Sequence, residues 1–205
     1  MQMKKTVSFR DFEERDIDFI YKCKNDKELN SLIVGHYHPF TYEEAVEWVH
    51  GCMGVHETYR FWAVCTNDQE QRIIGWVSLS NIDKINHSAC FHGVVIADPR
   101  YRNGLAWIES YLFIYEQAFE ILRLNRVYGT CRVDHKLSMQ MSPVMFSQKE
   151  GIFREAVFND GKYIDLYAAA LLAKDYFSHK NNGDYEIDKV IRRLAYRKKN
   201  KNQDK

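Results

Sequence analysis

The sequence predicts a single α+β domain, an α/β sandwich of seven strands and about four helices. Three observations carry this reading. Short apolar runs, alternating or continuous, recur along the chain in the manner of half-buried and buried strands. One stretch, 104–122, repeats apolar residues at steps of three and four, the spacing of a helix that buries one face. The length of 205 residues suits one substantial domain better than two.

Taken in order, residues 5–12 (KTVSFRDF) alternate polar and apolar and read as a first strand. Residues 13–25 then place Ile17, Ile20 and Tyr21 at helical spacing. The chain breaks at residues 35–40. Thr41, with Glu44 three residues on, forms a capping box that opens a helix carrying Ala45, Trp48 and Val49. Three strand-like runs follow at 59–66, 72–81 and 88–97, joined by short polar turns, so an antiparallel meander is the simplest pairing. After the 104–122 helix, 126–133 reads as a strand and 139–150 as helical after Pro143, with Gly151 as its stop. Residues 152–158 and 163–172 read as a hairpin closed by Asn159-Asp160-Gly161. The domain is expected to span 1–177, with 178–205 a polar, basic tail.

A net charge of +1, with 45% hydrophobic and 28% charged residues, fits a soluble globular chain with no global field to draw nucleic acid or a membrane. The basic run at Arg192-Arg193 and Arg197-Lys198-Lys199 reads as a solvated helix end. Lys4 and Lys5 lead into no apolar stretch, so no signal peptide is expected, and no run approaches the roughly 20 apolar residues that span a bilayer. Five scattered cysteines with no CxxC pair fit free thiols in a reducing compartment, the cytoplasm by default. His50, Cys52 and His56 match no zinc spacing, and no metal is expected.

The chemistry-bearing stretch is Val94-Val95-Ile96-Ala97-Asp98-Pro99-Arg100-Tyr101-Arg102-Asn103-Gly104-Leu105-Ala106, an apolar strand entering a basic loop and then a long helix. The first N–H groups of a helix lack internal partners and carry the positive end of its dipole. A phosphate placed there meets several donors, Gly104 permits close approach, and Arg100 and Arg102 can add charge-assisted contacts. An ordinary strand-to-helix turn has the same appearance.

This stretch resembles the Q/R-x-x-G-x-G/A signature of the GNAT acetyltransferase superfamily, with Tyr101 at the Q/R position, Gly104 the central glycine and Ala106 the closing residue. His38-Pro39-Phe40-Thr41-Tyr42-Glu43-Glu44-Ala45-Val46-Glu47-Trp48, Leu124-Asn125-Arg126-Val127, Gly151-Ile152-Phe153-Arg154-Glu155 and the segment 159–165 resemble its ribosomal-protein and polyamine acetyltransferase branch. The resemblance covers about residues 5–175. It implies a GNAT fold, a mixed, mostly antiparallel seven-stranded sheet with a splay between strands 4 and 5, and transfer of an acetyl group from acetyl-CoA to an amine by direct attack.

The same resemblance implies that Val94, Val95 and Ile96 face the pantetheine arm. It assigns the pyrophosphate to Tyr101, Arg102, Asn103, Gly104, Leu105 and Ala106. It places His36, His38 and Phe40 at the border of the acceptor pocket. The family's acid is often a tyrosine before the last glycine, a position that Ser147 fills here, and a serine is the poorer proton donor. A base on the fourth strand falls at Phe91 or His92. His92 is a candidate base, or else a hydrogen-bonded histidine in a bulge beside Gly93. The family's usual asparagine after the fifth strand is missing, and 133–151 holds an insertion near Met141-Ser142-Pro143. A scaffold that binds CoA without turnover is the alternative. The expected partner is a small-molecule amine, an amino-sugar or a peptide amine, and a homodimer is compatible. A polyamine pocket needs clustered carboxylates, which segments 13–18 and 43–47 could supply.

Overall fold

The computed structural model describes residues 5–31, 33–34 and 37–200. Seven strands form one sheet: β1 (Val7–Arg10), β2 (Arg60–Thr66), β3 (Ile73–Asp83), β4 (Ser88–Ile96), β5 (Arg126–Arg132), β6 (Gln148–Asn159) and β7 (Lys162–Leu172). Their order is β1-β2-β3-β4-β5-β7-β6. All neighbours are antiparallel except β4 and β5, which are parallel. The expected meander and closing hairpin are both present, the latter turning through Asp160 and Gly161 at positive φ. This pair of positive φ angles matches the twist of the two strands it joins.

The helices are α1 (Ile17–Lys24), α2 (Lys27–Asn30), α3 (Tyr42–Cys52), α4 (Leu105–Tyr115), α5 (Lys136–Val144), α6 (Ala173–Asn181) and α7 (Ile187–Asn200). Two apolar cores lie on opposite faces of the sheet. Ile20, Cys23 and Val49 of α1 and α3 pack with Ala63, Cys65 and Trp76 on one face. On the other, α4 packs Ile108, Ile114 and Tyr115 against Val64, Val77 and Leu79. Thr41 starts α3 with the expected reciprocal bonds, its backbone N–H donating to Glu44 Oε2 (2.7 Å) and the Glu44 N–H to its hydroxyl (3.2 Å).

Several elements differ from the sequence reading. The 104–122 helix is α-helical only to Tyr115 and widens to a π turn over Glu116–Ile121. It is buried on nearly every side rather than along one stripe, and even Glu109 is enclosed. That carboxylate accepts from the Thr6 and Val7 N–H groups and from the Thr6 hydroxyl, tying β1 to α4. The helix expected at 139–150 lies at Lys136–Val144 instead. Its early end frees Gln148 and Lys149 to pair with Ala170 and Ala169, so Gly151 falls inside β6 rather than capping a helix. Finally, the 178–205 segment contains α7, which buries Val190 and packs Leu194 against the core.

Candidate active site

The site begins where β4 and β5 part. Their pairing holds at Ser88↔Arg126, Ala89↔Val127 and Cys90↔Tyr128 and goes no further, while β5 stays paired to β7 as far as Arg132. This is the expected splay. A cleft of about 690 Å³ opens there and reaches both faces of the sheet. On the α1 and α3 face it is lined by Lys24, Trp48, Phe61, Trp76 and His92. On the α4 and α5 face it is lined by Tyr111, Tyr115, Ser142 and Ser147.

His92 stands at a β-bulge. Val77 pairs with Val94 and Leu79 with Phe91, so one β3 residue faces both His92 and Gly93. Gly93 takes φ +95°, a conformation that glycine adopts without strain. The bulge is as anticipated, but no hydrogen bond fixes the imidazole among the described residues. The ring is open to solvent on one side and walled by the cleft on the other, and this burial lowers its pKa from the ordinary 6.5.

Ser147 follows Phe146, whose φ of +64° is costly for a bulky residue. Ser147 N–H donates to Ser142 O (3.0 Å), and its Oγ lies 3.0 Å from Tyr115 Oη. Burial raises the pKa of Tyr115 well above the ordinary phenol value, so the phenol keeps its proton. Ser142 Oγ is buried beside them without a hydrogen-bond partner. The thiols in the wall are quiet. Burial pushes Cys52 up to about 12 and Cys131 up to about 11, and raises Cys90 as well.

The loop after β4 is self-organised. Asp98 binds both Arg100 and Arg72 and is held well below the ordinary carboxylate range, Arg100 contributing most. Arg102 donates to Ile96 O and Ala97 O (both 2.9 Å), and Asn103 Oδ1 accepts from Leu105 N–H (3.0 Å). Gly104 takes φ +96° just before α4, and a side chain added there would meet open space. Of the strand residues assigned to CoA, Val94 and Val95 line the cleft. Val94 O also accepts from Trp107 Nε1 at 3.3 Å. Ile96 is buried and turned from the cleft. Leu105 is half-buried, and Ala106 is buried in the α4 core.

The glycine cradle, the open helix start, the parted strands and the unpartnered Ser142 hydroxyl all fit an extended phosphate-bearing thioester. The arginines fit less directly, because Arg102 is spent on backbone carbonyls rather than presented to a phosphate.

On the α1 and α3 face, Lys24 Nζ stands 4.4 Å from the ring centre of Trp48, 5.3 Å from Phe40 and 5.5 Å from Trp76. Burial lowers its pKa. His36 lies outside the described residues, and His38 is exposed, 3.3 Å from Glu44 and away from the cleft. Neither 13–18 nor 43–47 contributes a carboxylate to the cleft wall. His56 Nε2 donates to Met53 O (2.9 Å), and its ring stacks on Tyr59, apart from His50 and Cys52. Sequence reasoning missed Lys24, Tyr115 and Ser142. The spacing within 104–122 marks Tyr115 only as a position on a buried helix face, although a second phenol, Tyr111, stands one turn earlier on the same side.

A family model described as an acetyltransferase (GNAT) domain matches residues 6–142. No curated protein matches the sequence. Among solved structures, the spermidine N-acetyltransferase from Vibrio cholerae in complex with CoA and spermine has a TM-score of 0.75 at 22% identity, covering 85% of this chain and 99% of its own. A GNAT-family acetyltransferase from Bacillus anthracis gives 0.69 at 22% identity, covering 85% and 99%. A dodecameric structure of the Vibrio cholerae enzyme gives 0.69 at 22%, covering 86% and 99%. At these identities the likeness is one of fold. No helix among the described residues is long and apolar enough to cross a membrane.

Proposed function

We propose that this chain, which belongs to the acetyltransferase (GNAT) family, moves an acetyl group from acetyl-CoA to a primary amine by direct attack within the splay. The observation that carries the proposal is the continuity of the cleft, one space joining His92 on one face of the sheet to Ser147 and Tyr115 on the other. Bound acetyl-CoA supplies an acetyl thioester, an acyl donor that a neutral amine can attack.

His92 is assigned the proton from the acceptor's ammonium. Its lowered pKa keeps the imidazole neutral near pH 7 and ready to accept one. Ser147 Oγ, backed by Tyr115, is assigned the wall at which the thiol departs. Gly104 and the first N–H groups of α4 are assigned the pyrophosphate, and the freed edge of β4 at Val94 and Val95 the pantetheine amides. Phe40, beside Lys24, borders the acceptor. No protein nucleophile is needed. The cleft thiols are held protonated by burial, and among the described residues no base pairs with Ser147. Holding the amine and the thioester together in the cleft supplies much of the rate.

Release of free CoA from acetyl-CoA, followed against pH with a primary amine present, tests the assignment. Because the pKa of His92 lies below 6.5, kcat/KM should be level near pH 7 and fall as the pH drops beneath that value and the imidazole protonates. His92→Gln should lower the rate and lose this acidic limb while acetyl-CoA affinity stays unchanged. A variant with the wild-type profile returns His92 to a structural role.

A further inference from the structure

We propose that the acceptor is an amine that also carries an anionic group, and that Lys24 is the residue that pairs with that anion. This rests on the transfer reading above and names the substrate class of the same site. Lys24 reaches the cleft from the end of α1, between Trp48, Trp76 and Phe40. Three ring faces stabilise an ammonium but do not neutralise it. Among the described residues no carboxylate forms an ion pair with Lys24 and none lines the cleft. The second cation in the wall, Arg132, is already matched by Asp134, with Nε and Nη2 at 2.9 and 2.7 Å from its oxygens.

A half-buried charge without a partner is costly, and a ligand anion that supplies the partner gains what the protein leaves unmade. The same arrangement disfavours a polycation. The aromatic cage that would receive a second ammonium already holds one, and a polyamine entering here meets like charge with no carboxylate to offset it. The anion can be a carboxylate, as on an amino acid, or a phosphate, as on an amino-sugar phosphate.

Matched acceptors decide the matter. β-Alanine is compared with β-alaninamide and glucosamine 6-phosphate with glucosamine, with spermidine alongside, in wild type, Lys24→Met and Lys24→Arg. In wild type, at least one anionic member should exceed its neutral twin in kcat/KM. Lys24→Met should collapse that ratio by about 10- to 100-fold, the range for a hydrogen bond to a charged group. Lys24→Arg, which keeps the charge, should largely preserve it. Spermidine as the best acceptor, or a ratio unmoved by Lys24→Met, overturns the proposal. If no amine is turned over, the transfer reading fails separately. Calorimetry of the same pairs on the CoA-saturated protein then decides this one. Binding of the anionic member that disappears in Lys24→Met supports it, and binding that survives, or no binding at all, overturns it.

Discussion

Ser147 Oγ and Tyr115 Oη lie 3.0 Å apart at the wall of the cleft, and the chemistry of each limits the other. Neither is an acid of useful strength near pH 7, the serine intrinsically and the tyrosine because burial raises its pKa. Together they can offer an oriented hydrogen bond. Ser147→Ala should therefore cost about tenfold in kcat, the loss of roughly 1 to 1.5 kcal/mol, with acetyl-CoA affinity intact. Tyr115→Phe should cost less, since Ser147 then turns its hydroxyl to water. Rapid-quench kinetics separates these outcomes. A thousandfold loss in a folded Ser147→Ala would make the serine an essential proton donor, and no loss would remove it from the reaction. Ser147 was legible through its position before the last glycine. Its partner was not, because hydrophobic spacing reports which face of a helix is buried and not which buried atom is polar.

In the loop from Asp98 to Gly104 the expected glycine stands just before the helix, while the arginines are engaged within the loop. Glycine before a long helix marked a cradle, and Gly104 does adopt φ +96° beside open space. The arginines looked like phosphate ligands, yet Arg102 and the Asp98–Arg100 pair bind the loop to itself. Sequence shows charge but not where a guanidinium folds. Gly104→Glu tests the cradle. A side chain at that φ is strained, and its carboxylate would stand where the pyrophosphate is proposed to bind, so acetyl-CoA affinity by calorimetry should fall at least about 100-fold. Unchanged affinity in a folded variant would mean the cofactor lies elsewhere. The α3 capping box and the Asp160-Gly161 turn were legible because local bonds alone determine them. The α5 helix was misplaced because its end is decided by β6 pairing with β7, a contact made some twenty residues away along the chain.

At the scale of the whole molecule, the C-terminal segment supports the site instead of trailing from it. Phe146, held at positive φ next to Ser147, is sandwiched between the His179 ring at 3.6 Å and the Arg193 guanidinium at 4.4 Å. Arg193 also donates to Val144 O and Asp184 O. Basic residues in 178–205 suggested solvent, yet α7 is amphipathic, and one of its cations holds the backbone that presents the serine. The seven strands and their order of appearance were legible from periodicity. The splay came from resemblance, since it follows from where β4 and β5 stop pairing and not from any residue pattern within them. This cleft is proposed to transfer acetyl groups to amines. The most direct test is mass spectrometry of the mixture after the protein is incubated with acetyl-CoA and a panel of primary amines. Acetyl transfer in this cleft predicts an acetylated amine formed in step with free CoA, with no acetyl group retained on the protein. Tight binding of acetyl-CoA without any acetylated amine, or an acetyl-protein that accumulates before product, would contradict it.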